Sequence, residues 1–183
     1  MKFESLINLI LESPYVMDGE YVPDINDDTV NVNFCKNLLT LHHRKIGNFQ
    51  NYNVWVSENI GQIIYVFTNM DDCSVKAKIT LKRNLNETTT IWKHRKSEKG
   101  LMTKIFLDFL LKIFPFISCS SDQYELGKQF WINLTNHCIV NGYNVVIINP
   151  NETETKLSSV EEFKKIIKDI WSDGRIKIKI YAK

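Results

Sequence analysis

A basic turn leads into an apolar segment between residues 93 and 110, and its residue types favour binding chemistry more clearly than any other part of the chain. Lys93 to Lys99 supply positive charge, Gly100 follows, and Leu101 begins apolar residues at helical spacing. A turn that opens a helix points backbone N–H groups and the positive end of the helix dipole at an anion. The segment therefore predicts a phosphate ligand. The alternative is a solvated loop in which Gly100 only relieves crowding, because a single glycine specifies little.

Two further candidates follow the next apolar run, which covers residues 116–119. Asp122, preceded by Ser120 and Ser121, could orient a substrate at the end of a strand, or cap the helix that follows. Tyr124 is a phenol that could serve in proton transfer, or a turn residue that covers the rim of the core. Asp122 and Tyr124 are the candidate catalytic residues, and both structural alternatives stay open.

The spacing of the histidines and cysteines does not fit a metal site. His42 and His43 are neighbours, so on a strand they point to opposite faces, and the cysteines form no C-x-x-C pair. We therefore predict no metal ion. The wide separation of the cysteines predicts core thiols in a reducing compartment and no dense disulfide framework. The cysteines are Cys35, Cys73, Cys119 and Cys138.

Charge and hydropathy restrict the class of partner. Lys and Arg number 23 against 21 Asp and Glu, so the net charge of +2 gives the whole molecule no field that attracts nucleic acid. A nucleic-acid role would rest on the local basic residues from Lys93 to Lys99, with Trp92 as a stacking residue. No stretch approaches the ~20 apolar residues that span a bilayer, so we expect no membrane partner and a cytoplasmic location.

Hydrophobic periodicity predicts the elements that position these residues. A helix over 3–12 and a loop over 18–33 come first, and an apolar helix over 100–114 follows a strand-rich stretch. The predicted strands cover 52–57, 62–68, 75–82, 88–94, 116–119, 143–148 and 176–180, and later helices cover 126–138 and 158–171. Strands followed by alternating helices and strands imply an α/β (α+β) fold with a mixed sheet and helices on both faces. A chain of 183 residues suits a single domain.

Two stretches carry a resemblance to a known family. Residues 99–106, Lys-Gly-Leu-Met-Thr-Lys-Ile-Phe, resemble the coenzyme A pyrophosphate loop and following helix of the GCN5-related N-acetyltransferases (GNAT). Residues 116–122, followed by Gly127, Trp131 and Leu134, are similar to a pattern in GNAT-like proteins of tailed phages. The order of the predicted elements supports the likeness more than either motif does.

The resemblance covers about residues 35–149 of a single domain over 1–183. An N-terminal helix and loop over 1–34 and a C-terminal helix and closing strand over 150–183 flank this core. The resemblance implies a mainly antiparallel GNAT-like sheet in which the strands on either side of the 100–114 helix splay into a V, with the pantetheine arm of acetyl-coenzyme A between them. The cofactor-binding residues that it implies are Glu98, Lys99, Gly100, Leu101, Met102 and Thr103.

Departures from the family pattern bear on catalysis. The family loop reads Gln/Arg-x-x-Gly-x-Gly/Ala, whereas residues 97–102 here read Ser-Glu-Lys-Gly-Leu-Met. We expect Met102 to crowd the approach to pyrophosphate, because a small residue is usual there. Many GNAT enzymes use a tyrosine of the second helix as the acid that reprotonates the thiolate, and Phe130 and Trp131 have no hydroxyl.

These departures favour a degenerate acyltransferase over a working one. The expected function is a phage-encoded binding or inhibitory module that acts on a host protein in the infected cell or within the virion. The alternative is an active acetyl-coenzyme A-dependent N-acetyltransferase for a protein or small-molecule amine, because positioning and oxyanion stabilisation can supply much of this chemistry.

Overall fold

The computed structural model describes residues 16–17, 20–21, 43–94, 97–120, 125–170 and 176–183. In this part, two short strands, β1 (Val16–Met17) and β2 (Glu20–Tyr21), pair antiparallel with each other. Nine further strands form one sheet. They are β3 (Arg44–Phe49), β4 (Tyr52–Asn59), β5 (Gln62–Asn69), β6 (Val75–Lys82), β7 (Glu87–Lys93), β8 (Phe116–Cys119), β9 (Val145–Ile148), β10 (Glu154–Lys156) and β11 (Lys177–Tyr181).

Three helices interrupt the strands in the described part of the chain. Helix α1 covers residues 101–113 and is π-helical over Ile105–Leu110, between α-helical turns at Leu101–Lys104 and Leu111–Ile113. Helix α2 is Glu125–Val140 and helix α3 is Val160–Ile170. The start of α3 is capped as a capping box predicts, since Glu162 N–H donates to Ser159 Oγ at 3.1 Å.

The strand order in the sheet is β10-β9-β11-β8-β7-β6-β5-β4-β3. The sheet is mostly antiparallel, as in the pairs β3–β4, β8–β11, β9–β11 and β9–β10, whereas β7 and β8 run parallel. The predicted mixed, mainly antiparallel sheet is therefore confirmed. Parallel neighbours need a crossover connection, and α1 supplies it between β7 and β8.

Contacts divide the described residues into two compact units. The first contains 16–17, 20–21, 43–57, 65–78, 92–94 and 97. Alternation along its strands turns Val54 and Val56 of β4 inward, while the intervening Trp55 donates its indole N–H to Thr68 at 3.1 Å. In β5, by contrast, residues 65–68 are buried at consecutive positions, so both faces of this strand are covered.

The second unit contains 58–64, 79–91, 98–120, 125–170 and 176–183. Its core is built on the inward side chains of α1, α2, α3 and strands β8, β9 and β11. Phe106 of α1 meets the ring of Trp131 of α2 edge to face, with centroids 5.6 Å apart. The largest fully buried side chains of this unit include Trp131, Phe106, Phe163, Ile105 and Ile117. α1 and α2 are therefore held together by aromatic packing.

A buried carboxylate ties three strands of the second unit together. The side chain of Glu87, at the start of β7, is only 3% exposed. It accepts a hydrogen bond from Lys82 Nζ at 3.1 Å and a second one from Lys177 Nζ of β11. Charge-assisted bonds to both oxygens satisfy the buried charge, so Glu87 fixes the ends of β6 and β11 against β7.

Several sequence predictions differ from the structure. The predicted loop over 18–33 contains β2, and the edge strands β3 and β10 were not predicted. Both edge strands are largely exposed, so the hydrophobic pattern that marks a strand is weak in them. Cys73 is disulfide-bonded, so the prediction of a free core thiol is wrong for this residue, although Cys119 and Cys138 are free and buried. The predicted helix over 3–12 and most of the 1–34 segment lie outside the described residues.

The Glu87→Gln substitution should lower the free energy of unfolding by about 1–3 kcal/mol, because it removes charge-assisted bonds from a buried site. Glu58→Gln is the matched control. Glu58 forms an exposed pair with Arg83 at 2.8 Å, and the loss of such a pair should cost less than about 1 kcal/mol. Urea denaturation measures both values. Equal losses in the two variants would contradict the structural role of Glu87.

Candidate ligand-binding groove

The pairing of β7 with β8 is short and sets the position of α1. Two residue pairs join the strands, Glu87 with Ser118 and Thr88 with Cys119. The Ser120 N–H donates to the Thr88 carbonyl at 3.2 Å and closes the paired stretch. β7 continues beyond this point to Lys93, and no further β8 pairing is present among the described residues. The two strands thus join at one end, and the chain between them leaves from the other end of β7.

The start of α1 has a conformation that favours glycine. Gly100 has φ 82° and ψ −2°, in the left-handed region, and a Cβ built on it would meet no atom within 4 Å. The position therefore needs glycine for its backbone angle and not for lack of space. This corrects the sequence alternative in which Gly100 relieves crowding.

The first turn of α1 leaves donors uncapped. Among the described residues, no side chain caps the helix start, and the first turn contains no acidic residue. The Leu101 N–H donates to the Glu98 carbonyl at 3.3 Å and the Lys104 N–H to the Gly100 carbonyl at 3.1 Å. Among the described residues, the N–H groups of Met102 and Thr103 have no backbone acceptor. Free donors and the positive helix end make this turn suited to an anion.

An open groove of about 400 Å³ extends from this helix start along α1. One wall is a stripe of α1 at helical spacing, and the other comes from the end of α2, the residues after it and the last residue of the chain. The lining residues are Gly100, Thr103, Lys104, Leu107, Asp108, His137, Asn141, Tyr143 and Lys183. Leu107 and Asp108 belong to the π-helical segment, a feature that is frequent at functional sites.

Polar contacts order the walls of the groove. Lys104 Nζ lies 3.2 Å from Glu98 Oε1, and Asn141 Nδ2 donates to the His137 carbonyl at 2.8 Å. Lys183 Nζ lies 4.4 Å from the centroid of the Tyr143 ring. These contacts leave a groove with ammonium groups toward both ends.

Tyr143 is the titratable group of the groove with the clearest perturbation. Burial raises the pKa of the Tyr143 phenol, and the nearby Cys138 and Asp108 raise it further. Each of these causes disfavours the phenolate. Tyr143 therefore stays protonated at neutral pH and presents a neutral hydroxyl and ring to the groove.

The six predicted cofactor residues fall into three groups. Gly100 and Thr103 line the groove, while Glu98 and Lys99 are exposed beside it. Leu101 and Met102 are buried in the second unit. The buried side chain of Met102 does not line the groove, so the structure gives no support to the expected crowding of the loop.

The structure describes the aromatic pair of α2 but not the two predicted catalytic residues. Asp122 and Tyr124 lie outside the described residues. Phe130 and Trp131 pack against Phe106, with ring centroids 5.0 and 5.6 Å from it. This packing explains why an aromatic pair without hydroxyl groups occupies that part of α2.

Sequence reasoning missed most of the groove. A polar stripe at Thr103, Lys104 and Asp108 was visible in the helical periodicity and could have indicated one wall. Tyr143 and Lys183 had no such signal, because only the fold brings them to α1.

Two free cysteines lie in the core of the second unit. Cys119 accepts a hydrogen bond from the Ile178 N–H at 3.0 Å, and both Cys119 and Cys138 are fully buried. Burial raises the pKa of each thiol to about 12. Thiols that stay protonated are poor nucleophiles, so neither is suited to covalent chemistry.

No group of three or more His, Cys, Asp or Glu side chains among the described residues is arranged to hold a metal ion. Within the same residues, no helix has the length and apolar character needed to cross a membrane. Neither a known protein family, nor a curated protein, nor a solved structure matches the chain.

The buried thiols should make the protein lose stability at high pH. An unfolded thiol titrates at 9.0 and the folded one at about 12, so above pH 9 the unfolded state releases protons that the folded state keeps. At pH 10 each thiol should contribute a loss of about 1 kcal/mol relative to neutral pH. Urea denaturation at pH 7.5 and pH 10 should show a smaller alkaline loss in Cys138→Ala than in the wild type. An identical loss in both proteins would contradict the burial of this thiol.

Proposed function

We propose that the protein is a GNAT-like phage protein, a degenerate acyltransferase that binds a phosphate-bearing ligand of the coenzyme A type and serves as a binding or inhibitory module on a host or virion protein. The GNAT-like arrangement, with helices on both faces of the sheet, is part of this proposal. The observation that carries it is the uncapped, glycine-led start of α1, the helix that connects β7 to β8, two strands that pair in parallel over two residues.

The free N–H donors at the start of α1 support a phosphate ligand. Gly100 turns the chain so that the Met102 and Thr103 N–H groups lack backbone acceptors, and Gly100 and Thr103 both line the groove. A diphosphate supplies acceptors and negative charge at the positive end of the helix. The exposed side chain of Lys99 adds a cation beside the same turn. The rest of the ligand can lie along the groove.

Catalysis is expected to be weak or absent because α2 supplies no general acid. Phe130 and Trp131 occupy the part of α2 where the family resemblance implies an acid, and both are packed against Phe106. The loss of a general acid typically costs ~10²–10⁴-fold in rate. Because the Met102 side chain is buried, it does not obstruct a phosphate at the loop. The ligand can therefore bind although the general acid is missing.

A second candidate function is an active acetyl-coenzyme A-dependent N-acetyltransferase for a protein or small-molecule amine. Tyr143 is the observation that favours it, because this phenol lies on the groove and its pKa is raised. A phenol that is protonated at neutral pH can return a proton to a leaving thiolate.

Coenzyme A should raise the melting temperature of the protein, and Lys99→Glu should weaken binding roughly tenfold because it reverses a charge beside the phosphate site. Lys112→Glu is the matched control, since Lys112 is an exposed lysine in the last turn of α1. The affinity of that variant should match the wild type. Thermal-shift titration measures all three proteins. No stabilisation by coenzyme A, or equal weakening by the two substitutions, would refute the ligand site.

A coenzyme A release assay with acetyl-coenzyme A and lysine-rich peptides separates the two functions. The binding module predicts little or no thiol release above the uncatalysed rate. Robust turnover that falls at least tenfold in Tyr143→Phe would establish the enzyme and overturn the degenerate reading.

A further inference from the structure

The Tyr143 end of the groove already holds an ammonium group, which belongs to the protein itself. Lys183 Nζ lies over the Tyr143 ring at 4.4 Å from its centroid. This distance is within the ~6 Å over which a ring face attracts a cation. Lys183 is exposed and Tyr143 is half-buried, so the cation can leave and the ring stays in place.

The surroundings of Tyr143 favour a cation after Lys183 has left. Asp108 lines the same groove and acts electrostatically on the phenol, and no ion pair neutralises it among the described residues. Lys104 also lines the groove, but its ammonium is paired with Glu98. The neutral ring and the carboxylate therefore form a local site for positive charge within a groove whose other end suits an anion.

We propose that Tyr143 and Asp108 form an ammonium-binding subsite for a lysine side chain of a partner protein, and that Lys183 occupies this subsite as an internal competitor. The inference rests on the proposed function only in taking the partner to be a protein. The subsite itself does not require coenzyme A. The group of the partner protein that it would bind is the ammonium of a lysine side chain.

Internal competition has a measurable consequence. A ligand binds only the fraction of molecules in which Lys183 has left the ring, so its apparent affinity falls by that fraction. The strength of partly exposed cation–π contacts corresponds to about a two- to fivefold preference for the occupied state. The competent fraction is then about one third to one sixth, so removal of the Lys183 charge should tighten the binding of an added amine by about three- to sixfold.

NMR titration of the full chain with Nα-acetyl-lysine methylamide tests the subsite, with Nα-acetyl-norleucine methylamide as the neutral probe of similar shape. The lysine probe should shift the resonances of Tyr143 and Asp108, and the norleucine probe should not. Lys183→Met should bind the lysine probe about three- to sixfold more tightly than the wild type. Lys164→Met, which removes an exposed charge from α3 outside the groove, should leave the affinity unchanged.

Two substitutions within the subsite complete the test. Tyr143→Leu in the Lys183→Met protein should abolish the response to the lysine probe, and Asp108→Asn should weaken it at least twofold. Asp108 is exposed, so this second variant carries the test if Tyr143→Leu does not fold. Equal binding of both probes, or no gain in Lys183→Met, would overturn the proposal.

The outcome is separable from that of the proposed function. Lysine-probe binding without any stabilisation by coenzyme A would keep the subsite and remove the phosphate ligand. Coenzyme A binding without a lysine-probe response would keep the ligand and remove the subsite.

Discussion

The parallel pairing of β7 with β8 is the constraint on which the rest of the second unit depends. Parallel neighbours cannot be joined by a tight turn, so the chain must leave the sheet at the end of β7 and return through a helix. That helix is α1, and Gly100 directly precedes its first turn. Among the described residues, the pairing covers only Glu87 with Ser118 and Thr88 with Cys119, at the start of β7.

Two sets of contacts maintain this arrangement. Glu87, at the first parallel pair, is held by ammonium groups from β6 and β11. The ring contacts of Phe106 with Phe130 and Trp131 hold α1 against α2. The first set is a buried charge that needs its partners, and the second is close packing that excludes water. Between them, the outer stripe of α1 and the end of α2 are left to form the groove.

The helices and buried strands could be predicted from the sequence because their apolar periodicity is strong. The strand over 116–119 has the predicted bounds, and the predicted helix over 100–114 differs from α1 by one residue at each end. Its π-helical middle was not predictable, since all of its residues fit an α-helix by type. Exposed β3 and β10 carried no clear pattern, and the local sequence favoured a loop where β2 forms.

A smaller part of the candidate site, the helix start, could also be predicted from the sequence. A glycine after a basic turn indicates an anion site at a helix start, and Gly100 and Thr103 do line the groove. The burial of the Met102 side chain could not be predicted, because it depends on which face of the helix meets the core. Tyr143 and Lys183 reach the groove only through the α2 and β11 connections, which no spacing in the sequence reveals.

The central claim is that the first turn of α1 binds the phosphates of a coenzyme A-type ligand. The amides of Met102 and Thr103 in this turn allow the most direct test. Hydrogen–deuterium exchange of the full chain with and without saturating coenzyme A reports on them. The account predicts that the Met102 and Thr103 amides exchange rapidly in the free protein and become protected on binding. Unchanged exchange at these amides, or protection confined to other parts of the chain, would contradict it.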